Sequence, residues 1–192
     1  GGIYPAKKEF LEGIRKLCDE RDMLLILDEV QCGMGRSGQM FAWQHYGVKP
    51  DVMAVAKALG NGVPIGAFLA CGKAASAMVP GDHGSTYGGN PLVCAAASAV
   101  LDCFKKRNLL AHVQEMGQYL WEQLEQVKME NPQIADHRGM GLIQGLELAA
   151  DLPAGEVVKR ALLEKNLVLI SAANNTIRMI PPLIAEKEDI DE

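Results

Sequence analysis

The chain has 192 residues and a mass of 20.7 kDa, long enough to bury an ordinary hydrophobic core in one domain or two small ones, which excludes a peptide or mini-protein scaffold. With 24 acidic against 19 basic residues and a net charge of −5, it has no basic excess to attract phosphate backbones or anionic lipid, so no nucleic-acid partner is expected. No apolar run approaches the roughly 20 residues of a membrane span, and no membrane partner is expected either.

In chain order, Pro5 sits where a first helical turn would begin, and Phe10, Ile14 and Leu17 follow at helical spacing, predicting a helix over 5–20. Residues 23–27 are a continuous apolar run ending in Asp28 and Glu29, the pattern of a strand buried on both faces of a parallel sheet with its charges at the carboxyl end. Gly33, Gly35 and Gly38 mark an irregular loop, residues 51–56 read as a second buried strand that delivers Lys57, and 66–71 as a third apolar stretch. Beyond Gly88-Gly89-Asn90-Pro91 an Ala-rich segment predicts a helix to Phe104, and Leu109, Val113, Met116, Leu120, Leu124 and Val127 mark a long amphipathic helix. Residues 142–148, 167–170 and 176–180 read as short strands, with a helix over 154–165.

Helix, buried strand, loop and buried strand together indicate an α/β sheet, with ligands gathered beyond the carboxyl ends of its strands. A shift in composition places a boundary near residue 105, dividing a partial large α/β domain (1–104) from a small α+β domain (105–192). The first sheet has about three strands, fewer than an average sheet, and neither end reads as a natural terminus, so a piece of a longer chain is expected.

The five cysteines are odd in number and form no C-x-x-C pair, which argues against a disulfide framework or zinc ribbon and for a reducing, cytoplasmic setting. The four histidines never recur at the i, i+4 spacing of a helical metal site, and no metal is expected. The chemistry lies in the strand ends. A lysine amine condenses with an aldehyde, and a carboxylate can keep a pyridine nitrogen protonated; pyridoxal phosphate needs both. Asp28 and Lys57 supply these groups, although the same pair also reads as an ordinary rim salt bridge. In residues 81–91, small and hydroxyl residues precede a helix whose first amides can bind an anion, so Ser85 and Thr86 are phosphate candidates; a turn with a capped helix is the plainer reading. The run Arg138-Gly-Met-Gly-Leu-Ile-Gln-Gly145 misses the dinucleotide-binding spacing and follows a helix, so nucleotide binding is not indicated.

LLILDEVQCGMGRSG, then DVMAVAKALGNGVPIGA, then HGSTYGGNPL, in this order and continuing into TIRMIPPL, resemble the class III pyridoxal-phosphate aminotransferases of fold type I. Within that family, FAWQHYGVKPD and the Gly-rich stretch after the lysine are most similar to members acting on N-acetylornithine. The resemblance implies that Lys57 bonds the cofactor aldehyde, Asp28 pairs with the pyridine nitrogen, Gln31 hydrogen-bonds the ring's phenolic oxygen, Val30 packs on the ring and Glu29 sits beside the cofactor. It further implies a homodimer with shared active sites, in which Thr86 reaches the phosphate and Ser85 the substrate of the neighbouring subunit, and a single subunit should be inactive. Arg178 matches the family's arginine for the α-carboxylate of glutamate or 2-oxoglutarate. The activity implied is transfer of the terminal amino group of N-acetylornithine to 2-oxoglutarate. Ornithine, succinylornithine, acetyl-lysine or 4-aminobutyrate are alternative donors, and a catalytically inert structural or dimerisation module is the alternative for this stretch alone. Met116, Trp121 and Trp43 read as packing. The family's amino-terminal half is absent: the start at Gly1-Gly2-Ile3 matches mid-domain sequence, Cys32 stands where members often have Thr, and Asn61 lies in a loop often richer in Gly.

Overall fold

The computed structural model describes residues 2–192; the resemblance of the chain's start to mid-domain sequence rests partly on Gly1, which lies outside the described residues. The chain divides into two compact units. One comprises a short N-terminal stretch ending at Pro5, the segment Arg36–Gly38 and Ala111–Glu192; the other comprises Ala6–Gly35 and Gln39–Leu110.

The second of these units opens with α1 (Lys8–Glu20), which starts later than Pro5 because Lys7 is extended and its carbonyl accepts the first helical N–H groups, from Phe10 and Leu11. β1 (Ile26–Asp28) is shorter than the apolar run that contains it. Met23 N–H donates back to the Cys18 carbonyl and Leu25 N–H donates to the Asp51 carboxylate, so the paired residues begin at Ile26, although the Leu25 carbonyl already accepts from Asp51 and Val52. β1 runs parallel to β2 (Val52–Val55), with Asp28 opposite Ala54, whereas β3 (Ala67–Ala70) joins β2 antiparallel. The three-stranded sheet is therefore mixed, and its strands are not all buried: Met53 and Val55 are, but Ile26 is 62% exposed and Phe68 and Leu69 also face outward. A short helix α2 (Lys73–Ala77) and then α3 (Pro91–Lys106) complete the unit, and α3 packs against the 3-10 turn Lys57–Leu59.

In the other unit a four-stranded antiparallel sheet runs β4–β5–β7–β6, from β4 (Ile134–Met140), β5 (Ile143–Leu148), β6 (Ile170–Ala172) and β7 (Thr176–Met179). One face buries Leu146 with Val113, Met116, Leu120 and Leu124 of the long helix α4 (Leu109–Glu130), and Leu148 and Ile177 with Ala154 of α5 (Ala154–Lys165). β4 is an element that sequence reading does not predict, because Asp136-His137-Arg138 hides its alternation and a bulge interrupts it near Ile134. The strand expected over 167–170 begins only at Ile170: Asn166 is left-handed at φ 57° and Leu167 N–H returns to the Ala161 carbonyl, so the preceding residues close α5 in a Schellman-type cap. A final helix, α6 (Lys187–Asp191), is tied to α4 by Tyr119 Oη donating to Asp191 at 2.6 Å.

The glycines of 139–145 have a packing explanation. Gly141, at φ +53°, turns the β4–β5 hairpin, and a Cβ on it would meet the Arg36 carbonyl oxygen at 2.8 Å; a Cβ on Gly117 of α4 would in turn meet Gly141 Cα at 2.6 Å. Three backbone segments thus lie closer than side chains would allow. No helix among the described residues is long and apolar enough to cross a membrane.

Candidate active site

The parallel register places Asp28 level with Ala54, so the turns that leave β1 and β2 carry Gln31 and Lys57 forward from the same end of the sheet. Their side chains meet: Lys57 Nζ donates to Gln31 Oε1 at 2.6 Å. Lys57 is exposed and has a left-handed backbone at φ 45°, a conformation that costs a non-glycine residue about 1 kcal/mol or more and that collects at functional positions. It forms no ion pair with Asp28 or any other carboxylate among the described residues, so the rim salt bridge is not what this strand end builds.

Asp28 Oδ1 accepts the Val30 N–H at 2.9 Å, an Asx turn that fixes the carboxylate at the strand end and leaves Oδ2 without a hydrogen bond among the described residues. Val30 is half-buried between these polar neighbours. Glu29 points elsewhere. It is only 2% exposed, and its two oxygens accept the N–H groups of Ala42 and Trp43, each at 2.9 Å, at the start of the 3-10 turn Ala42–His45. Its Oε2 also accepts the Cys32 thiol at 3.3 Å; burial first, then the Glu29 charge, pushes that thiol up to about 12. Glu29 therefore closes the loop from which Asp28, Val30 and Gln31 project, with its own oxygens occupied.

Ser85 and Thr86 lie in an exposed loop and make no hydrogen bond to Lys57, Gln31 or Asp28. Ser85 Oγ accepts the Gly88 N–H at 3.0 Å, and Asn90 caps α3 by accepting the Val93 N–H at 3.2 Å. With Pro91 lacking an N–H, the capped turn takes up much of the anion-binding capacity expected of this helix start.

Arg178 belongs to the other unit, on the outer face of the four-stranded sheet, opposite Gly145 in β5. Gly145 is itself opposite Arg138 of β4, so two arginines flank a position with no side chain. Arg138 is fully engaged, donating to Gly2, Asp136, Thr176 and Glu147 and lying 3.9 Å over the Tyr4 ring. Arg178 is the contrast: its Nε is buried and has no hydrogen-bond partner among the described residues. A buried N–H aimed at nothing costs stability unless an acceptor arrives.

Over residues 1–192 the chain matches the family described as Aminotransferase class-III. The chain belongs to the class III aminotransferase family. It is 50% identical to the acetylornithine aminotransferase of Clostridium acetobutylicum over 193 residues, all of this chain and 49% of that protein. Its fold superposes on N-acetylornithine aminotransferase from Stenotrophomonas maltophilia with a TM-score of 0.87 at 36% identity, covering the whole chain and 50% of that structure. The ornithine aminotransferase of Toxoplasma gondii, a structure with partial occupancy of pyridoxal phosphate at its active site, gives a TM-score of 0.90 at 33% identity over 99% of this chain and 46% of that one. The chain thus spans about half the length of the curated relatives it matches. Class III aminotransferases use pyridoxal phosphate, and the donor set here fits that group: an accessible primary amine, an amide whose Nε2 makes no hydrogen bond among the described residues, and a carboxylate with one open oxygen, all at one strand end. Arg36, which sequence reading gave no role, is the residue most easily overlooked; an arginine inside a glycine-rich loop carries no periodic signal.

Proposed function

We propose that the intact protein transfers the terminal amino group of N-acetylornithine to 2-oxoglutarate. The observation that carries this reading is the exposed Lys57 amine, held by the Gln31 amide instead of by a carboxylate, at the strand end that also presents Asp28. When bound, pyridoxal phosphate supplies an electron sink for the carbon that bears the donor's amine. Asp28, whose Oδ2 is without a hydrogen bond among the described residues, would hold the charge of the ring nitrogen, Gln31 would hydrogen-bond the phenolic oxygen, and Val30 would give the ring an apolar wall. Glu29 keeps that loop in place, and the Lys57 Nζ moves the proton from the donor's amine-bearing carbon. The Arg178 guanidinium, whose buried Nε has no hydrogen-bond partner among the described residues, takes the α-carboxylate of 2-oxoglutarate or glutamate, a planar group that suits it.

The exposed loop carrying Ser85 and Thr86, apart from the chain's own Lys57 in its hydrogen bonding, supports their service to a neighbouring subunit in a homodimer with shared active sites. Five free cysteines suit a reducing, cytoplasmic setting. The choice of N-acetylornithine over ornithine follows the 50% identity to the Clostridium enzyme, and rates with each amine, with 2-oxoglutarate as acceptor, separate the two. Lys57→Ala in the intact protein should reduce transamination at least about a thousandfold with the fold retained; turnover near the parental rate would refute the assignment.

A further inference from the structure

The β5–β7 ladder ends at the pair Gln144 and Met179. Continued by two residues, the register would set Leu142 against Pro181. Pro181 has no N–H to offer, and Leu142 N–H donates instead to the Arg36 carbonyl at 3.0 Å. The carbonyls of Leu142 and Pro181 both accept from one atom, Arg36 Nη1, the first at 3.1 Å. A guanidinium nitrogen therefore takes the place of the missing rung.

This is a costly way to end a sheet. Burial pushes the Arg36 pKa down, and no carboxylate among the described residues lies within ion-pair distance of it. The segment is nevertheless held tightly, since Arg36–Gly38 lies against Gly141 at distances that only glycine permits there. A hydrophobic side chain would close the same space without leaving a cation unpaired. What only a cationic donor provides is a charge-assisted bond to two carbonyls at once, one from each strand. On β7 those bonds act at Pro181, beyond the strand's last residue, Met179, which directly follows Arg178.

We propose that Arg36 is a positioning residue for Arg178: by bridging the Leu142 and Pro181 carbonyls it holds the end of β7 in register, so that the Arg178 guanidinium is set in place before a substrate carboxylate arrives. The proposal rests on the reading of Arg178 as the carboxylate site. It has no part in the chemistry at Lys57, so loss of Arg36 should raise the KM for the dicarboxylate substrate and leave kcat nearly unchanged.

The test uses the intact holoenzyme with 2-oxoglutarate as acceptor, comparing Arg36→Met, Arg36→Lys and Arg178→Ala. Arg36→Met should raise the KM for 2-oxoglutarate about tenfold with kcat within about twofold. Arg36→Lys, which keeps a charged donor, should recover part of that loss. In the cofactor-free protein, amide hydrogen exchange over 176–181 should quicken in Arg36→Met and leave α4 unchanged. If Arg36→Met does not fold, Arg36→Lys carries the test with an expected rise of about threefold. Unchanged exchange, or quickened exchange with an unchanged KM, overturns the proposal; the second result would mean that the bridge only supports the sheet. Arg178→Ala separates the two levels: if it leaves the KM for 2-oxoglutarate unchanged, the carboxylate reading fails and takes the proposal with it, whatever the exchange data show.

Discussion

In the four-stranded sheet Leu146, Leu148 and Ile177 are buried under α4 and α5, while in the three-stranded sheet Ile26, Phe68 and Leu69 face outward. The more open sheet has the more apolar strands, Ile26–Asp28, Val52–Val55 and Ala67–Ala70, whereas β4, β5 and β7 carry charged and amide side chains, so the difference lies in what covers each sheet and not in how apolar it is. The four-stranded sheet has its two helices within this chain; the three-stranded sheet has helices but leaves much of its strand surface open, in a chain about half as long as its relatives. The proposed chemistry divides along the same line. The amine, carboxylate and amide sit at the strand ends of the open sheet, where the backbone is held by turns and by Glu29, and the arginine sits on a sheet backed by a closed core.

This contrast breaks first under core truncation. Leu142 is fully buried against α4, and Leu142→Ala should cost about 3 kcal/mol in chemical denaturation of the intact protein, through lost apolar contact and the cavity left behind. A loss below about 1 kcal/mol would mean that this core is less tightly packed than described.

One substitution made in both units should have opposite signs. Gly117→Ala places a Cβ within 2.6 Å of the Gly141 backbone and should destabilise by about 2 kcal/mol, because no flexible side chain can move away. Gly13→Ala in α1 meets nothing within 4 Å and should stabilise by about 0.5–1 kcal/mol through helix propensity. Equal effects at the two positions would remove the distinction.

The smallest expected effect is on acid stability. Asp51 accepts the Leu25 N–H at 2.8 Å and Arg15 Nη1 at 2.7 Å, and these bonds, the backbone one first, hold its carboxyl below the usual range. A depressed folded pKa contributes stability that is present above the ordinary carboxylate value and lost as pH falls through the folded one. Asp51→Asn should therefore lower stability at neutral pH and flatten its decline below about pH 4, as read from melting temperature against pH.

Much of this division is legible in the residues. The helix expected over 154–165 is α5 as observed, the spacing from Leu109 onward marks α4, and the apolar runs locate β2 and β3. Strand orientation and burial are not legible: β3 is antiparallel, and an apolar run such as 23–27 looks the same whether or not another layer covers it. β4 carries no strand pattern because Asp136, His137 and Arg138 fill its centre. His137 lies between Glu125 at 2.6 Å and Gln144 at 3.0 Å and stacks on Trp121, so tertiary partners, not local preference, make this stretch a strand. At the strand ends, residue type and order singled out Lys57, Asp28 and Gln31, but the inward turn of Glu29 and the bridge from Arg36 depend on contacts made by backbone groups, which side-chain patterns do not encode.

The central claim concerns one nitrogen. The intact protein, incubated with pyridoxal phosphate, reduced with borohydride and digested, should carry the phosphopyridoxyl group on the peptide containing Lys57 and on no other, and Lys57→Ala should abolish the labelling. A label fixed on a different lysine, or none despite stoichiometric cofactor binding, would contradict the account.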